Sequence, residues 1–341
     1  MPLPPIWLRR LVIAPAAVAL CLALLVTMPV WLLIAALFAP FGSGRLRALR
    51  ILWVVAVYLA LEAFMLVVMF GLWVGSGFGS RMRTPWFQRA HYVLVGWFLR
   101  ALFHQSRRTL RLRIEVEGEH PDIAAPGRPE LIFCRHAGPG DSFIITNALV
   151  NWYDREPRIV LKYTLQWDPA IDVVLNRLPN RFLTPSSRHP GNRTAEEHIG
   201  ALATNLDSDD VLLIFPEGGN FTPRRRARAI ERLRKLGFTQ YATRAERLQN
   251  VLAPMPGGVL AALDAAPEAD VVLVAHTGLD HVLTVGDVWR ELPMDKQIVM
   301  RWWRVPRAEI PTDRDGQIEW LFGWWEEIDA WIDANRPVAT T

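Results

Sequence analysis

Two short stretches hold residue types whose spacing could do chemistry. The first is CRHAGPGDSF, residues 134 to 143, in which His136 and Asp141 flank Gly138-Pro139-Gly140. An imidazole can take a proton from a hydroxyl near neutral pH. A carboxylate bonded to its other nitrogen fixes the tautomer and steadies the imidazolium that forms. The apolar run LIFCR (131–135) reads as a buried strand, and SFIITNALV after Asp141 opens a helix. The turn therefore falls beyond the carboxyl end of a strand, where α/β sheets bind ligands. Gly138-Pro139-Gly140 supplies the tight reversal. Asp141 also sits where a helix N-terminus favours a carboxylate, so plain N-capping would account for it without any chemistry. The His-x-x-x-x-Asp spacing does not choose between the two.

The second stretch is LLIFPEGGNFTPRRR, residues 212 to 226. A buried strand runs into Phe215-Pro216-Glu217-Gly218, followed by Asn220 and by seven basic residues from Arg224 to Lys235. On charge patterning alone those basic residues read equally as a solvated helix face or as a phosphate-binding cluster.

The elements around these stretches read as strands alternating with helices. Strand candidates are TLRLRIEVEG (109–118), LIFCR (131–135), RIVLKY (158–163), VLLIF (211–215), VLAPM (251–255), DVVLVAH (270–276) and IVMRWWRV (298–305). Helix candidates lie near 141–152, 193–206, 224–236, 256–265 and 316–334. Short apolar strands between helices argue for an α/β fold, a mixed sheet covered by helices. The expected division is 1–80 for two hydrophobic membrane segments, 81–108 for an amphipathic connector and 109–341 for the α/β domain.

The N-terminal portion is a different material. No charge occurs in the 34 residues between Arg10 and Arg45, and Glu62 is the only charge from Ile51 to Ser80. Either run, as a helix, exceeds the roughly 30 Å of a bilayer core, so membrane attachment is expected. Pro29 leaves open whether the first run spans, kinks or re-enters. Residues 1–113 carry 13 Arg against one acid, +12; the remainder carries 25 basic and 33 acidic side chains, −8, which together give the net +4. The basic surplus lies around the apolar runs, facing anionic lipid, and not on the folded domain, which argues against a nucleic-acid partner. Arginines flank the runs on both sides, so charge alone does not fix the orientation. In the connector, Trp86, Phe87, Ala90, Leu94, Trp97, Phe98 and Ala101 recur at helical spacing, fitting either a headgroup-level helix or one packed on the domain. Cys21 and Cys134 suggest neither a disulfide framework nor a zinc site, and read as buried small hydrophobes.

Taken together, the IEVEG strand, the apolar strand ending in His136-x-x-x-x-Asp141, Phe215-Pro216-Glu217-Gly218 and the continuation FTPRRRARAIERLRKLG…VLAPMPGG resemble the glycerolipid acyltransferases. The resemblance spans roughly residues 85 to 285 and is to the lysophosphatidic and lysocardiolipin acyltransferase branch with N-terminal membrane helices. It implies transfer of a fatty acyl group from acyl-CoA or acyl-carrier protein to a lysolipid hydroxyl, with no cofactor beyond that co-substrate and no metal. The preferred acceptor is 1-acylglycerol-3-phosphate, with another lysophospholipid or a glycolipid as the alternative. It implies His136 as general base, Asp141 as its partner, Glu217 and Gly218 shaping the acceptor site, and Lys162 near the acceptor phosphate. The family's second-block arginine fits Arg188 best, with Arg181 possible. One departure is plain: the family pattern Phe-Pro-Glu-Gly-Thr-Arg reads Gly219-Asn220 here. Arg224, Arg225 or Arg226 could replace the missing charge. The lipid bilayer is the implied partner, with the catalytic domain on the cytoplasmic face.

Two rivals belong to other classes. Arg135-His136-Ala137, NRTAEE (192–197) and His276, 140 residues after His136, resemble the motifs of histidine phosphatases, with His276 as the second histidine. His276 reads as readily as a strand-end histidine with a satisfied ring. A membrane scaffold with a decayed acyltransferase site is the third reading.

Overall fold

The computed structural model describes residues 3–39, 46–118, 127–183, 194–280, 285–292 and 294–336. Two long apolar helices come first, α1 (Ile6–Phe38) and α2 (Arg47–Gly75), of 33 and 29 residues, each long and apolar enough to cross a bilayer. Pro29 lies within α1, and the helix runs through it. Then follow α3 (Pro85–Leu110), β1 (Arg113–Glu117), β2 (Glu130–Cys134), α4 (Pro139–Asn151), β3 (Glu156–Lys162), α5 (Pro169–Leu175), β4 (Arg181–Leu183) and α6 (Ala195–Ala203). The chain continues through β5 (Asp210–Ile214), α7 (Pro223–Lys235), α8 (Thr239–Arg247), α9 (Pro256–Ala265), β6 (Asp270–Thr277), α10 (Val285–Glu291), β7 (Gln297–Val305) and α11 (Arg314–Asn335).

The strands form one seven-stranded sheet in the order β1-β7-β6-β2-β5-β3-β4. β6, β2, β5, β3 and β4 are parallel, while β7 runs antiparallel to β6 and carries β1 parallel to itself. The strand period of two divides the core. Leu131, Phe133, Leu212 and Leu273 face a cluster with Val259, Leu263, Trp325 and Ile328 from α9 and α11. Ile132, Cys134, Leu213 and Val274 face Ile145, Ala148 and Leu149 of α4. Both faces are covered, which is why β2, β5 and β6 read as unbroken apolar runs.

VLAPM (251–255), expected as a strand, is not one. It is an irregular segment, buried from Val251 to Pro254, whose amides bond elsewhere: Leu252 N–H to Glu217 and Met255 N–H to the Pro216 carbonyl. A short apolar run shows burial but not its hydrogen-bond partners, and Pro254 has no N–H to give a ladder. The 85–110 helix splits its expected stripe. Leu94 and Phe98 pack with Met65, Leu66 and Met69 of α2 and Val173 of α5, while Trp86 and Trp97 are exposed.

The apolar helices are tied to the sheet domain by charge. Asp172 of α5 pairs with Arg9 at 2.8 Å and Arg10 at 3.3 Å. Glu62, the lone acid of the first 113 residues, accepts the Ala170 amide at 3.0 Å at the start of α5. A carboxylate there meets the positive end of the helix.

Candidate active site

His136 leaves the carboxyl end of β2, and α4 begins at Pro139, with Gly138 in the capping position. Asp141 is thus in the first helical turn, three residues beyond the capping position. Its Oδ2 lies 3.0 Å from His136 Nδ1 and accepts the amides of Ala137 at 2.7 Å and Gly138 at 3.0 Å, while Oδ1 accepts the Ser142 amide at 2.6 Å. One carboxylate therefore both caps the turn and contacts the imidazole. A carboxylate only accepts, so Nδ1 carries the ring proton and Nε2 is left as the basic nitrogen. Burial by itself would raise the Asp141 pKa. The hydrogen bond from His136 and the electrostatic pull of the His276 and His136 rings outweigh it and hold the carboxyl well below the usual range. The His136 ring stacks on Phe215, the residue after β5, with centroids 4.6 Å apart.

The Phe-Pro-Glu-Gly turn supports this histidine from the next strand. Glu217 Oε1 accepts the His136 amide at 2.8 Å and Oε2 accepts the Leu252 amide at 2.8 Å. The Phe221 amide in turn donates to the His136 carbonyl at 2.8 Å. Burial pushes the Glu217 pKa up to about 7, against the pull of Arg135 and of the two amides. Both Glu217 oxygens are taken by main chain, and what the side chain holds directly is the backbone of His136 and Leu252. Gly218 allows that turn. Its φ is +68°, and a Cβ would lie 2.1 Å from Met255 Cε.

The other expected site residues that are described lie on neighbouring elements and do not line the cavity described below. Lys162 ends β3, one strand beyond β5, and is exposed. Arg224 is exposed near the start of α7. Arg225 donates to the Asn220 carbonyl at 3.0 Å, and Arg226 to the carbonyls of Leu248 and Glu246, both at 2.6 Å. Arg188 lies outside the described residues. Behind the turn, on the side of Asp141, is a cavity of about 620 Å³ that is almost wholly apolar. Tyr58 of α2, Phe103 of α3, Ile144 of α4, Gly138, His276 and Met300 are among the residues lining it.

Residues 113–267 match the family model described as Acyltransferase. Over this span the chain is similar to the acyltransferases. This agrees with the resemblance that its motifs carry. Its fold is also similar to the crystal structure of the 1-acyl-sn-glycerophosphate (LPA) acyltransferase, PlsC, from Thermotoga maritima. That match has a TM-score of 0.49 at 13% identity, covering 82% of this chain and 97% of that one. No match was found among curated proteins.

The residues that suggested a phosphatase are otherwise engaged. The Arg135 guanidinium is 1% exposed, pairs with Asp280 at 2.5 Å and donates to the carbonyls of His276 at 2.6 Å and Asn250 at 3.1 Å. It is spent inside the fold and cannot present itself to a phosphate. Cys134 is fully buried, and burial together with Asp141 pushes its thiol well above the usual range, which removes it as a nucleophile beside His136. His276 fits neither of its sequence readings. Its ring is not satisfied, since Nε2 has no hydrogen-bond partner, yet that nitrogen lies 3.5 Å from Asp141 Oδ2. The signal that could have found it is register: β2 and β6 are parallel with Cys134 opposite Val274, which brings positions 136 and 276 level.

Proposed function

We propose that this acyltransferase moves a fatty acyl group from acyl-CoA or acyl-carrier protein to the hydroxyl of a lysolipid, with 1-acylglycerol-3-phosphate as acceptor and phosphatidic acid as product. The observation that carries the reading is the His136–Asp141 pair, which leaves Nε2 basic at the end of a strand beside an apolar cavity.

Nε2 of His136 takes the hydroxyl proton as the hydroxyl oxygen attacks the thioester carbonyl. The carbon–sulfur bond then breaks, and the departing thiolate takes the proton back from the imidazolium. Asp141 stabilises that imidazolium and holds the ring in the productive tautomer. Base, thioester and hydroxyl balance the protons among themselves, so the scheme calls for no cofactor besides the donor. The amides of His136, Ala137 and Gly138 are already committed to Glu217 and Asp141. An oxyanion must therefore draw on other donors.

The acyl chain is assigned to the apolar cavity, whose size falls within the range of small-molecule sites. Lys162 and Arg224, both exposed, are assigned to the acceptor phosphate, as is Arg188; Asn220 adds a neutral hydrogen-bonding group where the family pattern has arginine. The two apolar helices are assigned to the bilayer, with the sheet domain on its cytoplasmic face. The reading is tested by offering the purified protein a panel of lysolipids with isotope-labelled acyl-CoA and identifying products by mass spectrometry. Labelled phosphatidic acid as the dominant product supports it. Activity confined to phosphodiester or sugar headgroups overturns the phosphate-monoester acceptor.

A further inference from the structure

His276 ends β6 beside the catalytic turn, is 5% exposed and lines the apolar cavity. Its Nε2 lies 3.5 Å from Asp141 Oδ2. That oxygen already receives His136 Nδ1 and the amides of Ala137 and Gly138. An oxygen with two lone-pair directions has none left for a full fourth bond, and 3.5 Å exceeds a normal N–H···O length. The contact is therefore electrostatic. A bare Nε2 lone pair would be repelled by the carboxylate, so Nε2 carries a proton. Two imidazoles then point N–H groups at one carboxylate oxygen, and a proton gained by either ring makes the same gain harder for the other.

We propose that His276 is a positioning residue for acyl transfer: by competing for Asp141 it holds down the proton affinity of His136 and keeps that base neutral, hence active, to lower pH. The inference rests on His136 being the base. Removing His276 acts twice in the same direction. Asp141 is freed to stabilise the His136 imidazolium, and a competing positive charge disappears. Both effects make His136 hold its proton to higher pH.

The surroundings leave this coupling exposed. Asp141 and His136 face His276 from the catalytic turn. Arg135 of the neighbouring strand end bonds the His276 carbonyl but is neutralised by Asp280. β7 places Met300 opposite His276, and across the cavity the polar groups are Tyr58, Ser106 and Arg107. Glu217, beyond Arg135 and His136, also titrates near neutrality. It is common to wild type and variants, so the difference between their profiles isolates His276.

The test is the pH profile of kcat/KM for wild type, His276→Gln and His276→Phe in detergent. Glutamine keeps an N–H donor towards Asp141 without a titrating charge; phenylalanine keeps the ring shape alone. In both variants the acid-limb midpoint is expected to rise by about half a pH unit or more, the scale of a nearby like charge removed. A midpoint that coincides with wild type overturns the proposal, whatever happens to the plateau, because a merely structural role would lower the plateau without moving the midpoint. Should His276→Phe fail to fold, His276→Gln decides the matter together with NMR of ¹³C-labelled histidine. There the His136 resonance, assigned by its loss in His136→Ala, should titrate higher in His276→Gln than in wild type, and an unmoved titration overturns the proposal. Acyl transfer that survives in His136→Ala would instead remove the base assignment, while the NMR shift would still report the coupling.

Discussion

Glu217 holds His136 by its backbone, accepting the histidine amide at 2.8 Å with one oxygen while the other fastens Leu252. The most specific motif in the sequence thus serves the histidine 81 residues before it, through main chain. That role has a consequence for stability. Glu217 is buried with its pKa pushed up to about 7, so the fold favours the protonated form. Its contribution is complete below the ordinary glutamate range near pH 4.5 and is lost as pH rises through about 7, an effect of up to about 3 kcal/mol. Glu217→Gln removes the titration, although it leaves one amide facing an N–H₂ group. Melting temperatures in detergent from pH 5 to 8 should fall with pH more steeply in wild type than in Glu217→Gln. Parallel curves would contradict the assignment.

Asp141 is predicted to matter through the proton on His136. In Asp141→Asn the side-chain oxygen can still accept the Ala137 and Gly138 amides, so the turn should form, but the ring loses its charged partner. We expect kcat to fall about 10²–10⁴-fold with the far-UV circular dichroism spectrum unchanged. A folded variant with near wild-type kcat would leave Asp141 with capping alone.

The apolar cavity should measure acyl length. Ile144 of α4 lines it and is only partly buried, so a larger side chain can enter the space without rupturing the core. Ile144→Trp should reduce kcat/KM for a long-chain donor relative to an eight-carbon donor by about tenfold or more. Excluding even two methylenes forfeits roughly 1.5 kcal/mol of burial. An unchanged chain-length profile would place the acyl chain elsewhere.

Much of the fold was legible because its burial is periodic. β2, β5 and β6 are covered on both faces, and their unbroken apolar runs announce it. Arg181–Leu183 pairs with β3 but has too few residues to make a pattern. VLAPM looks like a strand because apolar runs report burial and not hydrogen-bond partners. The site divides in the same way. His136 and Asp141 are five positions apart and their geometry is local, so the sequence could pair them. The ties from Glu217 to the His136 amide and from His276 to Asp141 depend on which strands neighbour β2, a tertiary fact that no local pattern carries. Arg135 illustrates the opposite error. Arg135-His136-Ala137 resembled a phosphatase motif, yet the Arg135 guanidinium is buried on Asp280 and two carbonyls.

The central claim is that His136 is the base for acyl transfer, and one comparison tests it most directly. Purified wild-type protein and His136→Ala are given 1-acylglycerol-3-phosphate and isotope-labelled acyl-CoA, and labelled phosphatidic acid is quantified over time by mass spectrometry. The account predicts turnover by wild type and a loss of at least about 10²-fold in a His136→Ala protein that melts at a similar temperature. Equal turnover by the two proteins would contradict it.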